Sequence, residues 1–235
     1  MWCVNMNTFN CFLNNAALDI NQTRQDHLSS LGFPQHPGTV LEVGAGIGLH
    51  TKFFIDRGCA VTITDGRQEN LIEIQKRWPN LSSLLLDIEH SDDIRYLGEF
   101  DMIYCYGLLY HLGDPEKALQ KLSTVCRGQI FLELICNTDI NESLVIGRDP
   151  QGNDQSTAGL SCRPSRLWIL ERLKQYFGYG YISITQPNNH EFPTNWAHPS
   201  HRNTRAVFVG SKVELQNALL SDKPLQIQQK YMKGQ

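Results

Sequence analysis

The chain has 235 residues, 41% of them hydrophobic, which is enough for one large core and cramped for two full domains. A net charge of -3 and an isoelectric point near 6.2 supply no basic footprint for nucleic acid. No apolar run approaches the length of a membrane span and residues 1–15 lack a basic leader, so neither anchor nor signal peptide is expected and the protein is placed in the cytoplasm.

Residues 1–20 are Asn-rich, with Phe9, Phe12 and Leu13 scattered among them, and read as a short helix or cover. Residues 22–31 form a helix that Gly32, Pro34, Pro37 and Gly38 break. Val40-Leu41-Glu42-Val43 then reads as a short buried strand, and Gly44, Gly46 and Gly48 let the chain turn hard and present bare backbone to a ligand. From Ile47 onward Leu49, Phe53 and Phe54, interleaved with Lys52, Asp56 and Arg57, read as an amphipathic helix closed by Gly58. A strand-to-helix turn of this kind suits a nucleotide-like cofactor. The dinucleotide fingerprint Gly-x-Gly-x-x-Gly fails by one position, because Leu49 stands where its third glycine belongs. Glu42 before the turn favours a cofactor bearing an amine and a sulfonium over a pyrophosphate.

Ala60-Val61-Thr62-Ile63-Thr64 is a second strand with Asp65 at its tip, placed to meet ribose hydroxyls. Residues 68–78 are a helix stopped by Pro79, and Leu84-Leu85-Leu86 reads as a third buried strand leading to Asp87. Phe100 to Cys105 is the fourth strand; Asp114-Pro115 opens the next helix as cap and first residue; Gln129 to Ile135 is the fifth strand. Residues 167–177 are a helix with the core stripe Leu167, Leu170, Leu173 and Phe177. Residues 181–185 and 205–209 are two further strands with only a long loop between them, hence antiparallel. The seven cysteines (3, 11, 59, 105, 126, 136, 162) include no Cys-x-x-Cys and lie mostly in apolar runs, so they read as small buried hydrophobes in a reducing compartment, with no metal site.

The pattern Glu-x-Gly-x-Gly-x-Gly after a strand resembles motif I of the class I S-adenosylmethionine (SAM)-dependent methyltransferases. Residues 38–210 are similar to that family in element order: an α/β, Rossmann-like seven-stranded sheet of five parallel strands plus a C-terminal antiparallel pair. The resemblance implies a SAM-dependent methyltransferase, with residues 1–37 as a helical cover, 38–212 as the domain, lid loops at 137–163 and 186–204, and a tail at 213–235. It implies that Gly44, Ala45, Gly46 and Gly48 pass the methionine part while Glu42 orders the turn. Asp65, beside Gly66 and Arg67, holds the ribose; Asp87 and Ile88 frame the adenine; Tyr106 and Leu108 line the methyl side.

After the fourth strand, Gly107-Leu108-Leu109-Tyr110-His111-Leu112 is similar to small-molecule methyltransferases of the ubiquinone-biosynthesis kind and to tRNA wobble-uridine carboxymethyltransferases. It departs from the Asn/Asp-Pro-Pro-Tyr/Phe signature of enzymes that methylate adenine or glutamine nitrogen. His111 is the expected general base, since an imidazole accepts a proton near neutrality. Glu133, in the fifth strand, is expected to orient His111 or to bind a substrate hydroxyl.

The two long loops are expected to be functional, and Phe192 and Trp196 in the second argue for an ordered surface. Tyr110, Arg163, His190 and Trp196 are the substrate-binding expectations. Arg166, Arg202 and Arg205 are further receivers for a phosphate or carboxylate. The expected acceptor is a hydroxyl of a small polar, sugar-like or phosphorylated metabolite. A tRNA-modifying methyltransferase and a non-catalytic SAM-fold scaffold subunit remain alternatives.

Overall fold

The structure is a computed structural model that describes residues 9–148, 156, 159–199 and 204–232. Ten segments build the main sheet and its helices: β1 (Thr39–Val43), α3 (Thr51–Ile55), β2 (Ala60–Asp65), α4 (Gln68–Arg77), β3 (Ser82–Leu85), β4 (Phe100–Tyr106), α5 (Pro115–Val125), β5 (Cys126–Ile135), α6 (Arg166–Phe177) and β8 (Tyr179–Ser183). Two helices precede them, α1 (Asn10–Leu13) and α2 (Asn15–Ser30). A hairpin of β6 (Leu144–Arg148) and β7 (Leu160–Pro164) interrupts them, and β10 (Arg205–Ser211) and the short edge strand β11 (Leu220–Ser221) complete the sheet.

The spatial order is β11-β8-β10-β5-β4-β1-β2-β3. Neighbours from β3 to β5 run parallel, and β10 is antiparallel both to β5 and to β8. The expected α/β architecture is present, with β11 as an eighth, two-residue strand. The order reverses between β1 and β4, the place where an open α/β sheet leaves a crevice at its strand ends.

Period-2 alternation divides the core into one cluster per sheet face. Leu41 and Val43 face one cluster with Ile130, Leu132, Leu122 and Leu170; Val40 and Ile63 face the other with Phe131, Phe54 and Leu28. Cys59, Cys105, Cys126, Cys136 and Cys162 are buried in this packing, while Cys3 lies outside the described residues. Asp114 caps α5 by accepting from the Lys117 amide, with Pro115 as first residue.

Two local expectations are corrected. The helix after the glycine turn begins at Thr51, because Gly46 and Gly48 hold φ of 59° and 72° and a helix cannot pass through them. The third strand is an edge strand, Ser82–Leu85: among the described residues nothing pairs beyond β3, so Leu84 and Leu85 are exposed, and only Leu86 of that leucine run is buried. Among the described residues no helix is long and apolar enough to cross a membrane.

Candidate active site

One cavity of about 1040 Å³ opens at the carboxyl ends of β1, β2 and β4. That is the upper end of the roughly 300–1,000 Å³ typical of ligand pockets, enough for a large cofactor with an acceptor beside it. Its walls carry Glu42, Gly44, Ala45, Gly46, Asp65, Gly66, Arg67, Asp87, Ile88, Tyr106, Leu108, Tyr110, His111 and Arg163 from the expected set.

The glycine turn is a cradle built for bare backbone. Gly44 and Gly46 have positive φ, and a Cβ would fall 2.9 Å from Leu108 at the first and 2.6 Å from Phe12 at the second. Asp65 fastens this turn to β2: Oδ2 accepts from the Gly46 amide at 2.8 Å, and Oδ1 accepts from the Arg67 amide and from Asn70 Nδ2, each at 3.0 Å. A carboxylate offers about four acceptor sites, so one on Oδ2 remains for a donor in the cavity. Burial pushes the Asp65 carboxyl above its usual range, against the hydrogen bonds from Asn70, Arg67 and Gly46.

Glu42 is 1% exposed and accepts from the Thr51 hydroxyl at 2.6 Å. Burial raises its pKa to about 7; the Thr51 bond opposes the rise and the Asp65 charge adds to it. The loop after β3 is pinned from outside. Lys121 donates to the Ile88 and Glu89 carbonyls, and Glu89 Oε1 accepts from the Gly113 and Asp114 amides. Asp87 turns that loop by accepting from the Glu89 and His90 amides.

The remaining wall comes from residues the sequence reading did not single out. Phe12, Ile20, Asn21 and Arg24 of the first two helices also line the cavity, with the Phe12 ring against Gly46 of the turn. Asn21 Oδ1 accepts from Arg24 Nη1 and from His50 Nε2, each at 2.9 Å, and Tyr104 donates to His50 Nδ1 at 2.6 Å. Burial, aided by the Arg24 charge, lowers the His50 pKa to about 3, so the ring is neutral with its proton on Nε2. Their signal was present: Arg24 stands four residues from both Ile20 and Leu28, a charge on a buried helical stripe. Tyr106 stacks on Tyr104 at 4.3 Å, and its buried hydroxyl has no protein partner. Burial and the Glu133 charge push that phenol up, so it stays an O–H donor on the cavity wall.

Four expectations are corrected by packing. Gly48 is off the wall, its face taken by Trp78, whose Nε1 donates to the Gly48 carbonyl at 3.0 Å. Trp196 is 1% exposed in the core, donates to Gln228 and stacks on Arg166, and so lines no cavity; Arg166 itself is buried there, bonded to the Leu225 carbonyl. His190 is exposed and off the wall. Glu133 is fully buried behind the wall with its oxygens taken by Arg24 Nη2 at 2.6 Å and Arg205 Nη1 at 3.0 Å, so its hydrogen bonds do not orient His111. Phe192 is buried, as expected of a large apolar group in an ordered loop. Arg202, His201, Thr157 and Gly152 lie outside the described residues.

Residues 41–129 match the model of a methyltransferase domain family. Over 102 residues, 41% of this chain and 43% of the relative, the chain is 30% identical to a ubiquinone biosynthesis O-methyltransferase of Coxiella burnetii. Over 56 residues, 23% of this chain and 19% of the relative, it is 38% identical to a tRNA U34 carboxymethyltransferase of Campylobacter concisus. The chain thus spans less than half the length of these curated relatives. In fold it is similar to the N-terminal domain of EvdMO1 with SAH and D-fucose (TM-score 0.64, 21% identity, 82% of each chain). It is also similar to the magnesium protoporphyrin IX methyltransferase of Synechocystis with bound SAM (TM-score 0.58, 12% identity, 90% of this chain and 92% of that one). Residues 41–129 thus carry a methyltransferase domain, set in a fold shared with a methyltransferase solved with SAM.

The methyltransferase site fits that cofactor on its own geometry. The bare glycine backbone, the buried acid of Glu42, the open acceptor site on Asp65 and the apolar surface of Ile88 are groups suited to a cationic nucleoside cofactor.

Proposed function

We propose that this methyltransferase transfers a methyl group from SAM to a hydroxyl of a small polar acceptor, sugar-like or phosphorylated, in the cytoplasm. Residues 1–37 serve as cover and 38–212 as the catalytic domain. The observation that carries the reading is a single cavity with the glycine turn at one end and His111, Tyr110 and Arg163 at the other. The ubiquinone biosynthesis O-methyltransferase likeness supports a hydroxyl acceptor, and the EvdMO1 domain, solved with SAH and D-fucose, supports a sugar-like one.

SAM supplies an electrophilic methyl carbon on a sulfonium. The chain must hold an acceptor oxygen in line behind that carbon and keep water away. Leu108 packs against Gly44 and forms an apolar wall between the two halves of the cavity. Phe12 seals the turn from outside. His111, 9% exposed and with its ring tilted against that of Tyr110 at 4.3 Å, takes the proton that the hydroxyl must lose. Tyr106 donates its hydroxyl to whatever polar atom lies beside the reacting pair.

Calorimetric titration with SAM and with SAH tests the reading, followed by an assay of SAH release with sugars and sugar phosphates. Binding of both ligands and release with at least one acceptor is the expected result. Absence of SAM and SAH binding overturns it and favours a scaffold role. Turnover only with tRNA, weakened by added salt, favours the modification role suggested by the Campylobacter relative.

A further inference from the structure

We propose that the acceptor carries a compact oxyanion, a carboxylate or phosphate, and that Arg163 receives it. The proposal rests on the methyl-transfer reading and names the substrate class within it.

Three guanidinium groups reach the acceptor half of the cavity, those of Arg24, Arg163 and Arg205. Two are compensated inside the protein. Arg24 pairs with Glu133, while Arg205 pairs with Glu133 through Nη1 and with Glu191 through Nε at 2.5 Å. Arg163 is different. Its Nη1 donates to the Cys162 carbonyl at 2.7 Å and to the Tyr110 carbonyl at 3.3 Å, both neutral. Among the described residues no carboxylate forms an ion pair with it, and its Nε and Nη2 have no protein acceptor. Glu89, whose charge acts on the neighbouring Cys162, accepts the Gly113 and Asp114 amides on Oε1 and keeps a buried Oε2 without a hydrogen bond, but among the described residues it forms no ion pair with Arg163. One positive charge on the wall is therefore left for a ligand to neutralise.

The charge is also held in place. Arg163 lies in β7, paired with Val145 of β6, and its Nη1 bonds fix the guanidinium with two nitrogens still available as a fork. A planar fork matches an oxyanion bidentately. Tyr110 lies beside it, with the Arg163 guanidinium 5.5 Å from its ring centroid. The Tyr110 oxygen accepts from both Arg205 terminal nitrogens at 3.3 Å, which leaves its own O–H to donate elsewhere. Around this part of the cavity three guanidiniums face two carboxylates, Glu133 and Glu191, both already paired, a balance that favours an anion over a neutral polyol. The Tyr110 ring lies 4.3 Å from that of His111, so the oxyanion and the reacting hydroxyl belong to one compact molecule.

The test uses the full chain saturated with SAH and titrated at constant ionic strength with inorganic phosphate, then with benzoate. SAH binding is read before any anion is added. If the wild type does not bind SAH, the methyl-transfer reading falls and this proposal falls with it. If SAH binds, the expected result is millimolar binding of at least one anion, weakened about tenfold or more in Arg163→Gln and by a smaller factor in Arg163→Lys, which keeps the charge and loses the fork. Retained SAH affinity in each variant shows that it is folded. Wild type that binds neither anion, or Arg163→Gln that binds them as the wild type does, overturns the proposal while leaving methyl transfer standing. Where Arg163→Gln loses SAH binding, Arg163→Lys decides: weaker anion binding supports the site and unchanged binding overturns it.

Discussion

Arg24 of the second helix donates to Glu133 near the end of the fifth strand at 2.6 Å, across 109 positions of sequence. The pair fastens the N-terminal cover to the core, and Arg205 shares the same carboxylate from the opposite side. Removing the shared acid strands Arg24, which keeps only the neutral Asn21, and leaves Arg205 with Glu191 alone; breaking a buried pair in this way costs about 3–5 kcal/mol. Urea unfolding of Glu133→Gln therefore shows a large loss. Arg24→Met shows a smaller one, since Arg205 still answers the acid.

Asp65→Ala removes the acceptor of the Gly46 amide together with the acid facing the ribose position. SAM affinity falls about tenfold or more, read by calorimetry. Asp65→Asn retains one acceptor oxygen and falls between the two. Equal affinity in all three proteins would remove Asp65 from the cofactor site.

Gly46→Ala meets two penalties, a backbone at φ 59° and a Cβ 2.6 Å from Phe12. The first costs about 1–2 kcal/mol and the second is relieved by moving the ring. In a double-mutant cycle the Gly46→Ala loss is smaller in a Phe12→Ala background, and the difference measures how tightly the cover closes on the turn.

Acid response follows from three buried groups of opposite sign. His27 and His50 have pKa values of about 3 against an ordinary 6.5, chiefly through burial. The unfolded chain takes up their protons first, so their contribution is lost as pH falls from 6.5 towards 3. Glu42, raised to about 7 from 4.5, binds a proton in the fold that the unfolded chain has released, and stability gains from it as pH falls from 7 to 4.5. The net decline is shallow down to about pH 4.5 and steep below it. Glu42→Gln steepens the upper part, as thermal melts at a series of pH values will show. An ionised Glu42 also attracts the cationic cofactor, so SAM affinity rises through about pH 7 in the wild type and is flat in Glu42→Gln.

His111→Gln lowers kcat by about 10²–10⁴ with SAM affinity retained, the mark of a group that acts on the acceptor proton. A variant with full kcat would make His111 a wall residue only.

The alternation of strands and helices and the binding turn were legible in the chain because their causes are local. Apolar runs of strand length, glycines at the positive-φ positions of the turn and an acid at the tip of β2 each announce themselves within a few residues. The length of the helix after the turn was misread because Gly48 belongs to the bend and not to the helix.

What the sequence alone determined was the α/β class, the glycine turn and the identity of several residues that line the cavity. Tertiary structure decided the rest, because a side chain's partner across the fold is independent of its neighbours in sequence. Loop composition could not show that Trp196 turns into the core onto Arg166 and Gln228 while Arg163 turns towards the cavity. A strand glutamate looks the same whether it faces a substrate or two guanidiniums, and only the packing of α2 and β10 against β5 spends Glu133 on Arg24 and Arg205.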